Sequence, residues 1–226
     1  NKPQGEIYRV APPEGQSGAV DRVLPAPRGR VEFQNVSFRY AAAGTGDDVL
    51  SGISFTVEPG QFVAIVGGTG TGKSSLLNLI PRFSDVTGGA VLVDGVDVRD
   101  YPLEELRERI GMVLQTNVLF TGTIRENLLW GDPNATEEDM IQAAKDAQAY
   151  DFIMSFPDGF DTVLDQGGVN VSGGQKQRLC IARAMLRKPA ILILDDSTSA
   201  VDSATDAAIR ESFAKNLKGT TVIMIA

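Results

Sequence analysis

Phe62-Val63-Ala64-Ile65-Val66 runs directly into Gly67-Gly68-Thr69-Gly70-Thr71-Gly72-Lys73-Ser74, and this junction decides the fold. An unbroken apolar run of this length has the pattern of a fully buried parallel strand. Helical spacing follows from Ser74 to Ile80. A glycine-rich loop between a buried strand and a helix is the context in which Gly-x-x-x-x-Gly-Lys-Ser cradles phosphate. The glycines let successive backbone N–H groups converge on phosphate oxygens, and the helix start adds positive potential. On this reading Lys73 reaches the β- and γ-phosphates, and the Ser74 hydroxyl takes a Mg²⁺ position.

Upstream of the loop, Val31 and Phe33, then Val36, Phe38 and Tyr40, alternate as half-buried strands do, with a small offset at Gln34 and Asn35. Ile53, Phe55 and Val57 repeat the alternation before the Pro59-Gly60 turn, so an antiparallel layer is expected here. Downstream, Ala90 to Val93, Asp94-Gly95 and Val96 to Val98 read as a hairpin. Leu103, Leu106 and Ile110 then have helical spacing, and Met112 to Leu114 reads as a short buried strand. From about Leu119 to Lys188 strand signals nearly vanish, and Thr136 with Asp139 supplies a capping box for a helix running to about Ala149. This segment is expected to be a helical lobe. Buried strands return at Ala190 to Leu194 and Thr221 to Ile225, around a helix capped by Ser203 with Asp206 and stopped near Gly219. Buried strands alternating with helices mean a parallel sheet covered on both faces. Residues 1–29 hold Pro3, Pro12, Pro13, Pro25 and Pro27 without helical or strand periodicity and read as a linker.

Two further motifs carry chemistry. Ile191-Leu192-Ile193-Leu194-Asp195 is an apolar strand ending in a carboxylate, as needed to hold hydrated Mg²⁺ opposite a phosphate loop. Alone, such a residue is as often a cap or turn former. Its pairing with the loop makes it a metal candidate. Val171-Ser172-Gly173-Gly174-Gln175 precedes Lys176-Gln177-Arg178 and an apolar helix of Leu179, Ile181, Ala182, Met185 and Leu186. A turn plus cap explains that stretch nearly as well as an anion site does. Two anion-binding helix starts on separate lobes nevertheless suggest a sandwich, one binding phosphate in cis and the other in trans.

The totals narrow the partners. With 42% hydrophobic and 22% charged residues among 226, the chain can bury an ordinary globular core. A net charge of −8 leaves no basic face for a run of nucleic-acid phosphates, so nucleic acid is not expected as a partner. The single cysteine, Cys180, lies in an apolar helical run and fits a reducing compartment as a buried small residue. No stretch of about 18 apolar residues is present, and Asn1-Lys2-Pro3 lacks the character of a signal peptide, so neither a membrane span nor a secretion signal is expected in this chain.

Ser172-Gly173-Gly174-Gln175 resembles the signature of the ABC transporter family, with Val171 where that family most often has Leu. From about Val31 to Ala226 the chain is similar to the nucleotide-binding domain of an ABC transporter of the exporter type. The implied fold is α/β: a P-loop NTPase core with a mainly parallel sheet, an antiparallel β subdomain and an inserted α-helical subdomain. Residues 31–118 and 177–226 would form the RecA-like core with the β subdomain, and 119–176 the helical subdomain carrying the signature. The resemblance implies an ATPase that binds ATP and Mg²⁺ and powers export by ATP-driven pairing of two such domains. It implies a second nucleotide-binding domain, in a homo- or heterodimer, and a membrane domain fused upstream of residue 1. The location implied is the cytoplasmic face of the cell membrane.

Residue by residue, the resemblance implies nucleotide contacts from Tyr40, stacked on adenine, and from Gly67, Gly68, Thr69, Gly70, Thr71, Gly72, Lys73, Ser74 and Ser75. It adds Ser172, Gly173, Gly174 and Gln175, and Asp202 of the D-loop-like stretch Ser199-Ala200-Val201-Asp202. The implied metal contacts are Ser74, Gln115 and Asp195, and the implied catalytic roles fall to Asp196 and Gln115. Taken singly, Tyr40 is equally a strand-edge aromatic and Gln115 a solvated side chain. Thr121 to Asn127 resembles the exporter segment near the membrane-domain coupling helices, which makes Phe120 and Trp130 either exposed docking anchors or core of the lobe. The chain departs from the family pattern in three places. Asp196 stands where the family usually has Glu, Asp165 to Asn170 resembles the segment before the signature only loosely, and the family's switch histidine would come just after Ala226, in a chain without histidine. Two alternatives follow: a slow-hydrolysing regulatory half of a heterodimeric exporter, or a non-transport ABC ATPase, whose usual coiled-coil insertions, tandem domains or basic surfaces are not seen here.

Overall fold

The computed structural model describes residues 7–10, 20–40, 48–116, 118–195 and 200–225. In chain order its elements begin with strands β1 (Ile7–Val10), β2 (Val20–Val23), β3 (Val31–Phe38), β4 (Leu50–Val57) and β5 (Phe62–Ile65), followed by helix α1 (Lys73–Asn78). Strands β6 (Gly88–Val93) and β7 (Val96–Asp97), helix α2 (Leu103–Glu108) and strand β8 (Ile110–Val113) come next. The lobe then contributes strand β9 (Gly122–Thr123), helices α3 (Ile124–Leu129), α4 (Glu137–Asp146) and α5 (Tyr150–Ser155), and strand β10 (Val163–Leu164). Helix α6 (Gly173–Leu186), strand β11 (Ile191–Leu194), helix α7 (Ser203–Asn216) and strand β12 (Thr221–Ile225) complete the chain.

A parallel sheet of order β5-β12-β11-β8 forms the middle layer. Strand β11 is buried on both faces, which is why its sequence is continuously apolar. Ile191 and Ile193 point into one core with Leu77, Val31 and Phe33, under the antiparallel sheet of order β4-β3-β6-β7. Leu192 and Leu194 point into the other core with Ile124, Ile153 and Ile181 of the helical lobe. Each fully buried side chain of this kind contributes roughly 1.5–3 kcal/mol. The sheet is therefore the part that both lobes share, and the phosphate loop and Asp195 leave from its strand ends. The offset expected at Gln34 and Asn35 is a register shift between Phe33 and Val36, with Asn35 at φ 48°. Asp94 and Gly95 take φ 50° and 82°, the two positive values that a tight β6–β7 hairpin requires.

Four expectations are corrected. Strand β5 is not fully buried: it is an edge of the described sheet, and Phe62 is 41% exposed. An apolar run alone does not separate an edge from a central strand. The helix begun by the Thr136–Asp139 capping box ends at Asp146 rather than near Ala149, because Gln148 turns to φ 56° before α5 starts. Helix α7 is capped by Asp202, not Ser203: Asp202 has extended backbone angles and its carboxylate accepts from the Thr205 N–H at 3.0 Å. The stretch read as a linker contains an antiparallel ladder, β1 with β2, whose four-residue strands are too short for alternation to be legible.

Candidate functional site

Between β5 and α1 the chain forms an open loop whose glycines have different reasons to be glycine. Gly70 and Gly72 sit at φ 78° and 84°, where a Cβ is strained. At Gly70 a Cβ would meet nothing within 4 Å, whereas at Gly72 it would lie 3.0 Å from Val49 Cγ1 and 3.1 Å from both Leu50 Cδ2 and the Val49 carbonyl oxygen. Thr71 Oγ1 donates to the Gly68 carbonyl at 2.9 Å. Lys73 Nζ donates to the carbonyls of Gly67 at 2.6 Å and Gly68 at 2.8 Å, which holds the ammonium against the loop.

Asp195 follows the last residue of β11 and is 7% exposed. Its N–H donates to the Val113 carbonyl at 2.9 Å, and its Oδ1 accepts from Ser74 Oγ at 3.0 Å. Two hard oxygen donors from distant parts of the sequence thus meet at the start of α1. That donor chemistry fits Mg²⁺, and Gln115 borders the same cleft. The cleft, of about 680 Å³, is lined by Tyr40, Val49, Gly67, Thr69 to Ser75, Gln115, Asp195 and Ile225. Its size suits a small-molecule ligand. Tyr40 stands at the rim, half exposed, with its ring edge-on to Phe38 at 4.9 Å and its hydroxyl sharing a 2.8 Å hydrogen bond with Ser75 Oγ.

The signature stretch lies apart from this cleft. Ser172 Oγ accepts from the Gln175 N–H at 3.2 Å and Gln175 Oε1 accepts from the Ser172 N–H at 3.0 Å, a reciprocal cap at the start of α6. None of Ser172, Gly173, Gly174 and Gln175 lines the cleft. Asp202 does not line it either: hydrogen bonds from the Thr205 hydroxyl at 2.7 Å and the Thr205 N–H hold its carboxyl below the usual range. Asp196 and Ser199 lie outside the described residues. Arg178 approaches this region from α6, and burial lowers its pKa while the charge of Asp202 opposes that shift.

Phe120 and Trp130 are both exposed, at 44% and 66%, and stack on each other at 4.9 Å with 28° between their planes. They are not core of the lobe. Both border a groove shared with Gly111, Met112, Cys180 and Arg183, and burial pushes the Cys180 thiol pKa up. One residue of the cleft escaped the reading of the sequence. Val49 packs against Gly72 and lines the cleft, but it follows a stretch without periodicity.

Residues 50–199 match the ABC transporter family. YgaD of Bacillus subtilis (strain 168), whose name assigns it to multidrug export as an ATP-binding/permease protein, is 51% identical over 199 residues, covering 88% of this chain and 34% of its own length. YfiB of the same strain, named as an ABC transporter ATP-binding protein, is 48% identical over 208 residues, 92% of this chain and 35% of its own length. The chain thus spans about a third of these relatives. A bacterial Atm1-family ABC exporter with ATP bound superposes with a TM-score of 0.82 at 39% identity, covering 88% of this chain and 34% of that one. With the phosphate loop, the strand-end carboxylate and the signature in place on this fold, the chain belongs to the ABC transporter family, as an ATP-binding domain of the exporter type.

Proposed function

We propose that this chain binds MgATP in the cleft between Tyr40 and Asp195 and hydrolyses it while paired with a second nucleotide-binding domain, and that the closure and reopening of the pair drive a membrane domain fused to it. The observation that carries this reading is the separation of the two anion sites: Ser74 and Asp195 converge at the phosphate loop, while Ser172 to Gln175 line none of that cleft. A nucleotide enclosed by both sets of donors needs the second set from another domain. Within the cleft, the loop N–H groups and the Lys73 ammonium bind and orient the phosphates, and the Tyr40 ring offers a flat face to the base. Ser74, Gln115 and Asp195 would hold Mg²⁺, which when bound neutralises charge on the phosphate oxygens. Gln115 orients the attacking water, and Asp196 accepts its proton. The exposed Phe120–Trp130 pair and its groove offer apolar anchors to a segment of the membrane domain, at the cytoplasmic face of the membrane.

A second reading rests on Asp196, one methylene shorter than Glu. Withdrawing the carboxylate by about 1.5 Å costs on the order of a hundredfold in rate, or about 2.7 kcal/mol of barrier. With Ser172 to Gln175 intact, this chain then supplies the slow site of a heterodimer and completes a faster one on its partner. In a homodimer, by contrast, Asp196 serves adequately as the base. Asp196→Glu separates the two. The heterodimer reading expects faster hydrolysis at this site, and unimpaired hydrolysis by the purified parent, left unchanged by the substitution, refutes it.

A further inference from the structure

The structure assigns the pocket between the ends of α4, α6 and α7 to a small primary amine, bound as its ammonium. The pocket has a volume of about 270 Å³, several times the roughly 30 Å³ that one water takes, and it shares no lining residue with the nucleotide cleft. Asp146, the last residue of α4, is 6% exposed and borders it. Three neutral donors hold its carboxylate: Gln142 Nε2 at 2.9 Å, Ser212 Oγ at 3.1 Å and Asn216 Nδ2 at 2.6 Å. All three reach Oδ1. Oδ2 accepts no hydrogen bond, and the carboxylate has no cationic partner, among the described residues. A buried carboxylate whose charge is uncompensated is costly, and the acceptor left over is the one that a ligand can use.

The helices add to the same field. Leu186 and Asn216 end α6 and α7 as Asp146 ends α4, and all three residues border the pocket. Each helix C-terminus carries about half a negative charge on its last carbonyls. Three such ends and a carboxylate make a place for a cation. Asp139, the other acid on the wall, is already paired with Lys188 at 2.7 Å. Lys218 borders the pocket as well, exposed and without an ion pair among the described residues, and its ammonium opposes the ligand's. Ala143, Met185, Leu186 and Leu217 supply apolar wall. A hard divalent cation needs about six oxygen ligands, whereas one free carboxylate oxygen beside aliphatic walls suits an alkylamine, which like a lysine side chain is an ammonium at neutral pH.

Calorimetry on the full-length protein with n-butylammonium chloride tests this, against sodium chloride at equal ionic strength and with 1-butanol as the uncharged probe of similar shape. Saturable binding of butylammonium and none of butanol is expected. Asp146→Asn keeps an acceptor for the three donors and removes the charge, and it is expected to weaken binding at least about tenfold. Lys218→Met, at an exposed position, is expected to tighten binding about threefold by removing the like charge. If Asp146→Asn does not fold, only tighter binding in Lys218→Met sustains the inference. Butylammonium binding that Asp146→Asn leaves unchanged arises elsewhere in the protein and overturns the inference, as does weaker binding in Lys218→Met. No binding at all overturns it too, and so does equal binding of butanol, which marks an apolar cavity only. Leucine that binds more tightly than butylammonium, with that preference lost in Lys218→Met, assigns the pocket to a zwitterion and overturns the amine reading.

Discussion

Replacing Gly72 and Gly70 by alanine, one at a time, asks what the phosphate loop requires of its glycines. Both residues have left-handed backbone angles, φ 84° and 78°, so each alanine brings about 1–2 kcal/mol of torsional strain. They differ in surroundings. The added methyl at position 70 meets nothing within 4 Å, while at position 72 it meets Val49 Cγ1 at 3.0 Å and the Val49 carbonyl and Leu50 Cδ2 at 3.1 Å. Overpacking of that kind adds about 1–3 kcal/mol, because the start of β4 must move. Any effect of the substitution on the unfolded chain is nearly the same at both positions and cancels in the comparison. In a domain of this size 1 kcal/mol corresponds to about 2–4 °C, so Gly70→Ala is expected to lower the melting temperature by about 2–8 °C and Gly72→Ala by about 4–20 °C. Differential scanning calorimetry without nucleotide measures both. Equal shifts, or a more stable Gly72 variant, refute the claim that contact with Val49 and Leu50 governs that position. Added MgATP should raise the melting temperature of the parent by mass action and leave that of Gly72→Ala nearly unchanged.

Other perturbations address separate parts of the molecule. Lys73→Ala removes a charge-assisted phosphate contact and is expected to weaken ATP binding by about 1.5–3 kcal/mol in calorimetry; unchanged affinity excludes the loop as the phosphate site. Tyr40→Ala is expected to cost about 1–3 kcal/mol of ATP affinity with little change in discrimination against GTP, and parental affinity makes Tyr40 a strand residue only. Hydrogen bonding from Lys188, then from Thr136, lowers the Asp139 carboxyl from 3.8 to about 2. A depressed carboxyl contributes stability that is present above its ordinary pKa and is lost as pH falls toward 2, so the melting temperature should decline across that window and Asp139→Asn should flatten the decline. Trp130→Ala, at a residue 66% exposed, should leave the melting temperature within a few degrees of the parent while uncoupling hydrolysis from transport in the full-length protein. Intact coupling removes Trp130 from the docking surface.

The strand–loop–helix junction at Phe62 to Ser74 was legible in the sequence because each step there is local: an apolar run, glycines, a lysine and a hydroxyl at fixed spacing. The same holds for the capping box at Thr136, since a cap joins residues three apart. What the tertiary structure decided concerns partners distant in sequence. Nothing local marks β5 as an edge strand, because an apolar run reads alike at an edge and in the centre. Asp202 became a cap once the chain bent there, which a choice between neighbouring Asp202 and Ser203 does not reveal. The exposure of Phe120 and Trp130 depended on how α3 packed on α6. The pairing of Ser74 with Asp195 spans 121 residues, and that of Gln177 with Ala200 spans 23. Periodicity and spacing report only the few residues on either side of a position, whereas a hydrogen bond across the sheet exists only after both lobes have buried their apolar faces against it.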